Sequence, residues 1–412
     1  MERSWWQKLQ KNPLARLAAI VLATFYVAVI FADFVAPYSP VAQQASGSLL
    51  PPTQVYWRSV ESGDFIGPHV YPTIQGPIDL DTGRQELIVD YSAPDPLRLF
   101  VRGTPYRMFE LTLPVVTKIS FDGEIELKKF EIFKGIPGDL HLFGTANGPT
   151  AAAAVSAGAE EAGVGDEVPT DEAAVDAAYL NLLGTDNAAR DVFSRLVHGG
   201  RISLSIGLVG IAISFPIGLL IGGISGYFGG IVDTVLMRIV EVIMTIPSIY
   251  LLVSLGVILP VELESSERFL LIVMIISFIG WAGLARVIRG EVLSLKQRTF
   301  VQASQSMGGR SLHIITRHIL PQTATYVIIT ATLAIPGYIV SEAVLSLIGL
   351  GIQEPAPSWG NMLSAGTNAS VLVLYPWIVW PPAALIVVTV LSFNLLGDGL
   401  RDALDPRSLQ ER

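Results

Sequence analysis

Two kinds of residue in this chain are placed to do chemistry. One is the run Phe300–Gln322, FVQASQSMGGRSLHIITRHILPQ, with two arginines, two histidines, no acid and a Gly-Gly pair. The expected form is a helix, a glycine turn and a second short helix, Ser311–Ile319, with Ser311 as N-cap and Pro321 closing it. A basic unit of this shape can lie on anionic lipid. It can also dock in a partner protein and pass that partner's motion to the segments on either side. The Gly-Gly hinge and the terminal proline favour docking, because charge bias alone requires neither. The other kind is a pair of carboxylates in apolar surroundings, Glu241 and Glu342. Such acids are costly and mark transport paths, unless each pairs with a nearby arginine or caps a helix end.

Other chemistries are missing from the residue list. There is no cysteine, which excludes disulfides and thiolate chemistry. The five histidines, His69, His141, His198, His313 and His318, lack metal-ligand spacing, so no metal site is expected. No G-x-x-x-x-G-K-[ST] phosphate loop occurs, so ATP hydrolysis is not expected on this chain. No catalytic residue and no resident cofactor are assigned.

The elements that must position these residues are apolar. The 412-residue chain is 51% hydrophobic and 15% charged. Six runs are long enough to cross a bilayer, at 14–35, 202–225, 236–259, 269–288, 324–348 and 371–396. The first follows Arg3, Lys8 and Lys11 and lacks a clear cleavage site, which reads as an uncleaved anchor. Pro247 should kink the third run. Between Arg286 and Gln322 there are six Lys/Arg and one acid; between Ala36 and Arg195 there are eleven Lys/Arg and twenty-two acids. Positive charge in short loops marks the cytoplasmic side. Both termini and the 286–322 loop are therefore expected inside, and residues 36–195 outside. Arg286 and Arg289 read as snorkelling anchors, and Trp359, Trp377 and Trp380 as an aromatic belt. Gly349, Gly351, Pro355 and Pro357 shape an outer loop that could line a pathway.

The fold class expected is mainly α: a polytopic membrane protein with six transmembrane helices and a small β-rich insertion. Residues 1–13 form an N-terminal tail before the first span at 14–35. Residues 36–144 form the extracytoplasmic insertion, with a hairpin turn at Phe121–Glu124; an irregular loop is the alternative. Residues 145–179, Ala/Gly-rich and acidic, read as a linker or a short helix near 172–182. Residues 180–201 hold a short amphipathic helix at the outer boundary, capped by Thr185 or Asp186, with Phe193 on one face and Arg190, Asp191 and Arg195 mostly elsewhere. Residues 202–400 are a five-helix core, and 401–412 a C-terminal tail.

The pattern Gln302-Ala303-Ser304, three residues, Gly308, then Leu320-Pro321 resembles the "EAA…G…LP" loop of ABC importer permeases. GTDNAARDVFSRLVHGGRISLSIGLVG (184–210), GYFGGIVDTVLMRIVEVIMTIPS (226–248), WAGLARVIRGEVLSLK (281–296), SEAVLSLIGLGIQEPAPSWGNML (341–363) and NLLGDGLRDALDPR (394–407) are similar to the C-type permease of dipeptide and oligopeptide importers. The resemblance covers 1–40 and 180–412. It implies a type I importer permease fold in the plasma (inner) membrane. It implies coupling to ATPases through Gln302, Ala303, Ser304, Met307, Gly308, Gly309, Arg310, Leu320 and Pro321. The partners implied are a B-type permease, two ATPase subunits that bind ATP and magnesium, an external peptide-binding protein, a peptide substrate and the lipid bilayer, with no nucleic acid. Gln302 and His318 stand where the family more often has Glu and Ile, and Ala189 where it has Gly. An ion-driven transporter is the first competing reading, and neither clear internal repeats nor mid-membrane charge pairs favour it. A membrane receptor is the second, and it leaves five spans without a role.

Overall fold

The computed structural model describes residues 2–44, 47–78, 85–109, 111–119, 125–146, 178–259, 263 and 265–404. Helix α1 is Glu2–Lys11, where a tail was expected. Helix α2 is Pro13–Ile30. Its entry follows from Asn12-Pro13: the Asn12 side chain accepts from the amides of Leu14 and Ala15 at 3.1 and 3.2 Å, and proline at the first position sacrifices no bond. A one-turn helix, α3 (Ala32–Val35), ends the first span.

Among the described residues, eight strands follow. β1 (Tyr56–Arg58), β2 (Phe65–Val70), β5 (Asp95–Met108) and β8 (Ile136–Thr145) form one antiparallel sheet in the order β1-β2-β5-β8. β3 (Thr73–Ile78) pairs with β4 (Gln85–Val89), and β6 (Leu111–Ile119) with β7 (Ile125–Phe133). The region is β-rich, as its alternation predicts. The hairpin turn anticipated at 121–124 and most of the 145–179 linker lie outside the described residues; the strands flanking that turn pair Ile119 with Ile125.

The chain entering and leaving the insertion is zipped together. Gln44 and Asn181 exchange side-chain hydrogen bonds at 2.8 and 2.9 Å, and the Thr185 hydroxyl accepts from the Leu50 amide at 2.7 Å. The amides of Leu49 and Thr53 donate to the carbonyls of Asp186 and Asn181.

The amphipathic helix expected over 180–201 does not exist as a separate element. Residues up to Asp191 are loop, and one unbroken helix, α4, runs Val192–Phe228. Its N-cap is Asp191, not Thr185 or Asp186, and the Asp191 carboxylate accepts from the Ser194 amide at 2.7 Å. Gly199 and Gly200 sit inside this helix, and their lack of a side chain lets Pro357, Ser358 and Trp359 pack against it. At 37 residues α4 is roughly 55 Å long, well over the ~30 Å hydrocarbon core.

The third span is broken rather than kinked. α5 (Gly230–Thr245) and α6 (Ser248–Val257) meet at 82°. Ile246 is pushed into extended geometry by the proline that follows it. Then come α7 (Ser265–Leu295), α8 (Thr299–Ser306), α9 (Ser311–Ile314), α10 (Ala324–Leu347), α11 (Trp359–Leu363), α12 (Ala369–Leu374) and α13 (Pro376–Leu404). Among the described residues, five helical segments are long and apolar enough to cross a membrane, or six if the bent pair counts as one span.

The α4–α7 seam is set by spacing. Gly218, Gly222 and Gly226 recur every fourth residue, on one face. A Cβ on them would meet the carbonyl oxygens of Trp281, Ala285 and Arg289 at 2.9, 2.5 and 2.8 Å. Lipid-embedded helices gain little from hydrophobic exclusion, so small residues that admit close backbone contact supply the packing. Gly222→Val therefore forces the helices apart. A loss of about 1–3 kcal/mol is expected, read as a lower thermal midpoint in detergent. Gly283→Ala, on α7 with open space where the Cβ would stand, should not lower that midpoint.

Candidate docking loop and ion cluster

The 296–323 segment keeps the expected helix–turn–helix plan but differs in detail. α8 ends in a closed turn: the amide of Gly308 donates to the Gln305 carbonyl at 2.9 Å, and that of Gly309 to Ser304 at 3.0 Å. This double bond pattern is a Schellman cap, and Gly308 supplies the left-handed residue it needs, at φ +80°. Gly309 is required for a different reason, since a Cβ there would meet the Ser304 carbonyl at 2.8 Å. Ser311 is not the N-cap; Arg310 takes that position without a side-chain bond. Pro321 does not end the helix. A π-helical turn, Ile315–Ile319, and a 3₁₀ turn, Leu320–Thr323, carry the chain into α10.

The loop has two faces. Val301, Ser304, Ile314, Ile315 and Ile319 are buried, packed with Phe215, Leu284, Ile288 and Val292 of α4 and α7. Gln302, Ala303, Arg310 and Pro321 are exposed, Leu320 is half-buried, and Met307 and Leu312 stand out at 82% and 60% exposure. Gln305 Nε2 donates to the Tyr227 hydroxyl at 3.1 Å, and the Lys296 ammonium lies 5.7 Å from the same ring's centroid. Arg289 is not a free anchor: its Nη2 donates to Asp233 at 2.6 Å, tying α7 to the start of α5. Arg286 is exposed.

At the other end of α4 lies an ion cluster in which Asp186, Arg190 and Arg195 are buried and Glu354 is exposed. Arg190 donates from Nε to Asp186 at 2.8 Å and also pairs with Glu354. Arg195, 2% exposed, donates from Nη2 to both Glu354 oxygens at 2.8 and 3.0 Å. Asp186 folds its own turn by accepting from the amides of Ala188 and Arg190. Two cations thus face two anions, lining a cavity of about 460 Å³ that also includes Asn361 and Met362. Arg190, Asp191 and Arg195 were expected on an amphipathic surface and are buried instead. Phe193 packs against Phe143 of the insertion, centroids 5.7 Å apart. Glu354 was missed by sequence reasoning. The only signal was its place amid Gly349, Gly351, Pro355 and Pro357, the loop residues already singled out.

The two intramembrane acids part company. Glu241 is exposed and pairs with Arg238 one turn away at 3.0 Å. Glu342 is fully buried and has no arginine beside it; it accepts from Ser346 at 2.7 Å and from Ser203 at 3.4 Å. The same serines receive the amides of Ile352 and Trp359, both at 3.0 Å, so Glu342 fastens α10 to α4 and to the loop before α11. Trp359 is not in a belt: it is 1% exposed and donates to the Leu196 carbonyl at 2.9 Å. Trp377 is half-buried and Trp380 exposed. A mainly apolar cavity of about 260 Å³ lies among α4, α6, α7 and α10, lined by Phe215, Leu252, Gly280, Thr330, Tyr338 and Ser341 among others.

Residues 218–410 match the family model "Binding-protein-dependent transport system inner membrane component", and residues 3–52 match "N-terminal TM domain of oligopeptide transport permease C". It is 41% identical over 224 residues to the oligopeptide transport system permease protein OppC of Bacillus subtilis, covering 54% of this chain and 71% of that one. It is 43% identical over 227 residues to OppC of Haemophilus influenzae, covering 55% and 70%. It is also 41% identical over 224 residues to the dipeptide permease protein DppC of Bacillus subtilis, covering 54% and 68%. A solved amino acid ABC transporter aligns at 19% identity and TM-score 0.38, over 52% of this chain and 95% of its own. The chain belongs to the binding-protein-dependent transport system inner membrane component family. It is a multi-pass membrane permease component and not a catalytic subunit.

Two measurements test the cluster end. Ala189 adopts φ +58°, a left-handed conformation that costs an L-residue roughly 1–2 kcal/mol. Glycine at that position removes the strain, so Ala189→Gly should stabilise the protein by about 1 kcal/mol, net of the unfolded chain's greater freedom. A thermal midpoint that falls would contradict this. Burial pushes the Asp191 carboxyl up to about 7, against the opposing hydrogen bonds from Ser194; its Oδ1 is buried without a partner. A raised folded value means the folded state binds the extra proton, so this contribution is full below the ordinary range near 4 and declines until pH passes about 7. Asp191→Asn keeps the cap and should flatten the fall in thermal midpoint between pH 5 and 7.

Proposed function

We propose that the chain is the C-type permease of a di- or oligopeptide importer, forming half of the translocation pathway with a B-type permease. Two ATPase subunits dock on the 300–321 loop, and an external binding protein delivers peptide at the opposite end. In this reading both termini and the loop are cytoplasmic, and residues 36–195 are extracytoplasmic. The outer-face helix expected over 180–201 is in this reading the start of the 37-residue helix α4.

The observation that carries the reading is the two-faced loop. Its exposed tip offers Met307, Leu312 and Arg310 to a partner, while its buried face is continuous with the core of α4 and α7. A push on the tip therefore moves packed helices and not a slack strand. The relatives' names support peptide as cargo. The cavity lined by Tyr338 and Ser341 is a fitting part of the pathway wall.

Purified in mild detergent, the chain should bring down nucleotide-binding subunits. Gly308→Pro cannot hold φ near +80° and breaks the cap; Arg310→Glu reverses the tip's charge. Each should cut peptide uptake at least about tenfold, equivalent to ~1.4 kcal/mol of lost coupling, with the complex still inserted and ATP still hydrolysed. Normal uptake in both variants would sink the docking role.

A further inference from the structure

At the insertion end of the bundle is a crevice that the transport role leaves unused. It encloses about 670 Å³ between the last turns of α2, the early turns of α4 and the tip of β5. Tyr26, Val29, Leu204 and Leu208 form apolar walls, and Arg107, Arg201 and Asp33 complete the lining. Helix geometry orders these groups by depth. Arg201 lies roughly 5 Å nearer the insertion than Leu204 and roughly 10 Å nearer than Leu208. Asp33 lies in α3, the one-turn helix that ends the first span. The charged groups therefore sit at the edge of the hydrocarbon, and the apolar walls one and two turns within it.

The charges do not balance. Arg201 donates to Asp33 from Nη2 and Nη1 at 2.6 and 3.3 Å and to the Val29 and Ile30 carbonyls at 3.1 and 3.4 Å, and Asp33 also contacts His198 Nε2 at 3.2 Å. Arg107 is exposed and makes no ion pair among the described residues. Two guanidinium groups thus face one carboxylate. The insertion leans on the first span here: Phe109 meets Phe31 edge-on with centroids 5.7 Å apart, and Phe100 lies 6.3 Å from Phe34. Leu208 and Ile30 remain 47% exposed on helices long enough to cross a bilayer.

We propose that this crevice binds an anionic phospholipid. Its phosphate is held chiefly by Arg107, whose planar fork matches phosphate oxygens, with the remaining N–H of Arg201 Nη1 beside it, and one acyl chain lies along Ile30 and Leu208. A lipid is the occupant because the site joins net positive charge at the water boundary to apolar walls at acyl depth, on faces that a bilayer must otherwise wet. The bound lipid bridges β5 to α2 and α4 and so fixes the insertion against the membrane surface.

The test is native mass spectrometry of the full-length chain in mild detergent, titrated with phosphatidylglycerol, phosphatidylcholine or inorganic phosphate. Phosphatidylglycerol should bind more tightly than phosphatidylcholine of the same chains, and millimolar phosphate should not displace it. Arg107→Glu, on an exposed side chain, should weaken phosphatidylglycerol binding roughly tenfold or more. Leu208→Trp, which fills the acyl groove, should weaken both lipids with the thermal midpoint unchanged. Unaltered phosphatidylglycerol affinity in Arg107→Glu overturns the proposal, as does displacement by free phosphate. So does a photo-crosslinker at Phe109 that captures a protein subunit in native membranes in place of lipid.

Discussion

The contact on which the rest of the structure depends is the glycine-lined seam between α4 and α7. Gly218, Gly222 and Gly226 let the two backbones approach until a single added carbon would strike a carbonyl. In a bilayer this matters more than in water, because lipid tails solvate a leucine surface as well as a neighbouring helix does. Close contact along a long seam is the remaining source of attraction. Its consequences run toward the docking loop. The seam brings Arg289 to Asp233 and Tyr227 to Gln305, and it creates the surface on which Ile314, Ile315 and Ile319 are buried.

The same helix carries the other site. Arg195 stands in the first turn of α4 and Tyr227 in its last, roughly 48 Å apart along one axis. At the far end the two arginines and Asp186 are taken out of water together, while Glu354 meets them from the solvent side, its side chain 52% exposed. Burying either sign alone would cost several kcal/mol per ion; their mutual contacts with Asp186 and Glu354 offset that cost. The cluster also joins three pieces of chain that are distant in sequence: the exit from the insertion, the start of α4 and the loop before α11. One rigid rod thus links an ion-bound mouth to a capped loop, and displacement at either end has a solid path to the other.

Much of this was legible in the sequence for a physical reason. Hydrocarbon demands long apolar runs, so the spans announce themselves, and Gly308-Gly309 between helix-forming residues marks the turn. The β-rich insertion showed in its alternation and turn residues. What failed was local punctuation. Pro247 breaks a span, while Pro216 and Pro336 leave α4 and α10 unbroken. Gly199-Gly200 stay within a helix, and it is Trp359 and Ser358 that require them to be small. Pro321 looked like a stop and is absorbed by π and 3₁₀ turns. A proline or glycine removes a constraint or a bond, but its neighbours decide whether the helix survives.

Composition and charge bias alone determined the class: a polytopic helical protein with a polar, basic loop between two of its spans. Hydropathy is additive along the chain, so it needs no knowledge of partners. Only the tertiary structure decided which polar residues belong together. It joined Glu354 to Arg190 and Arg195 across more than 150 residues, gave Glu342 to serines and not to an arginine, and left Glu241 on the surface with Arg238. A buried charge finds the complement that packing delivers to it, and that complement need not be near in sequence.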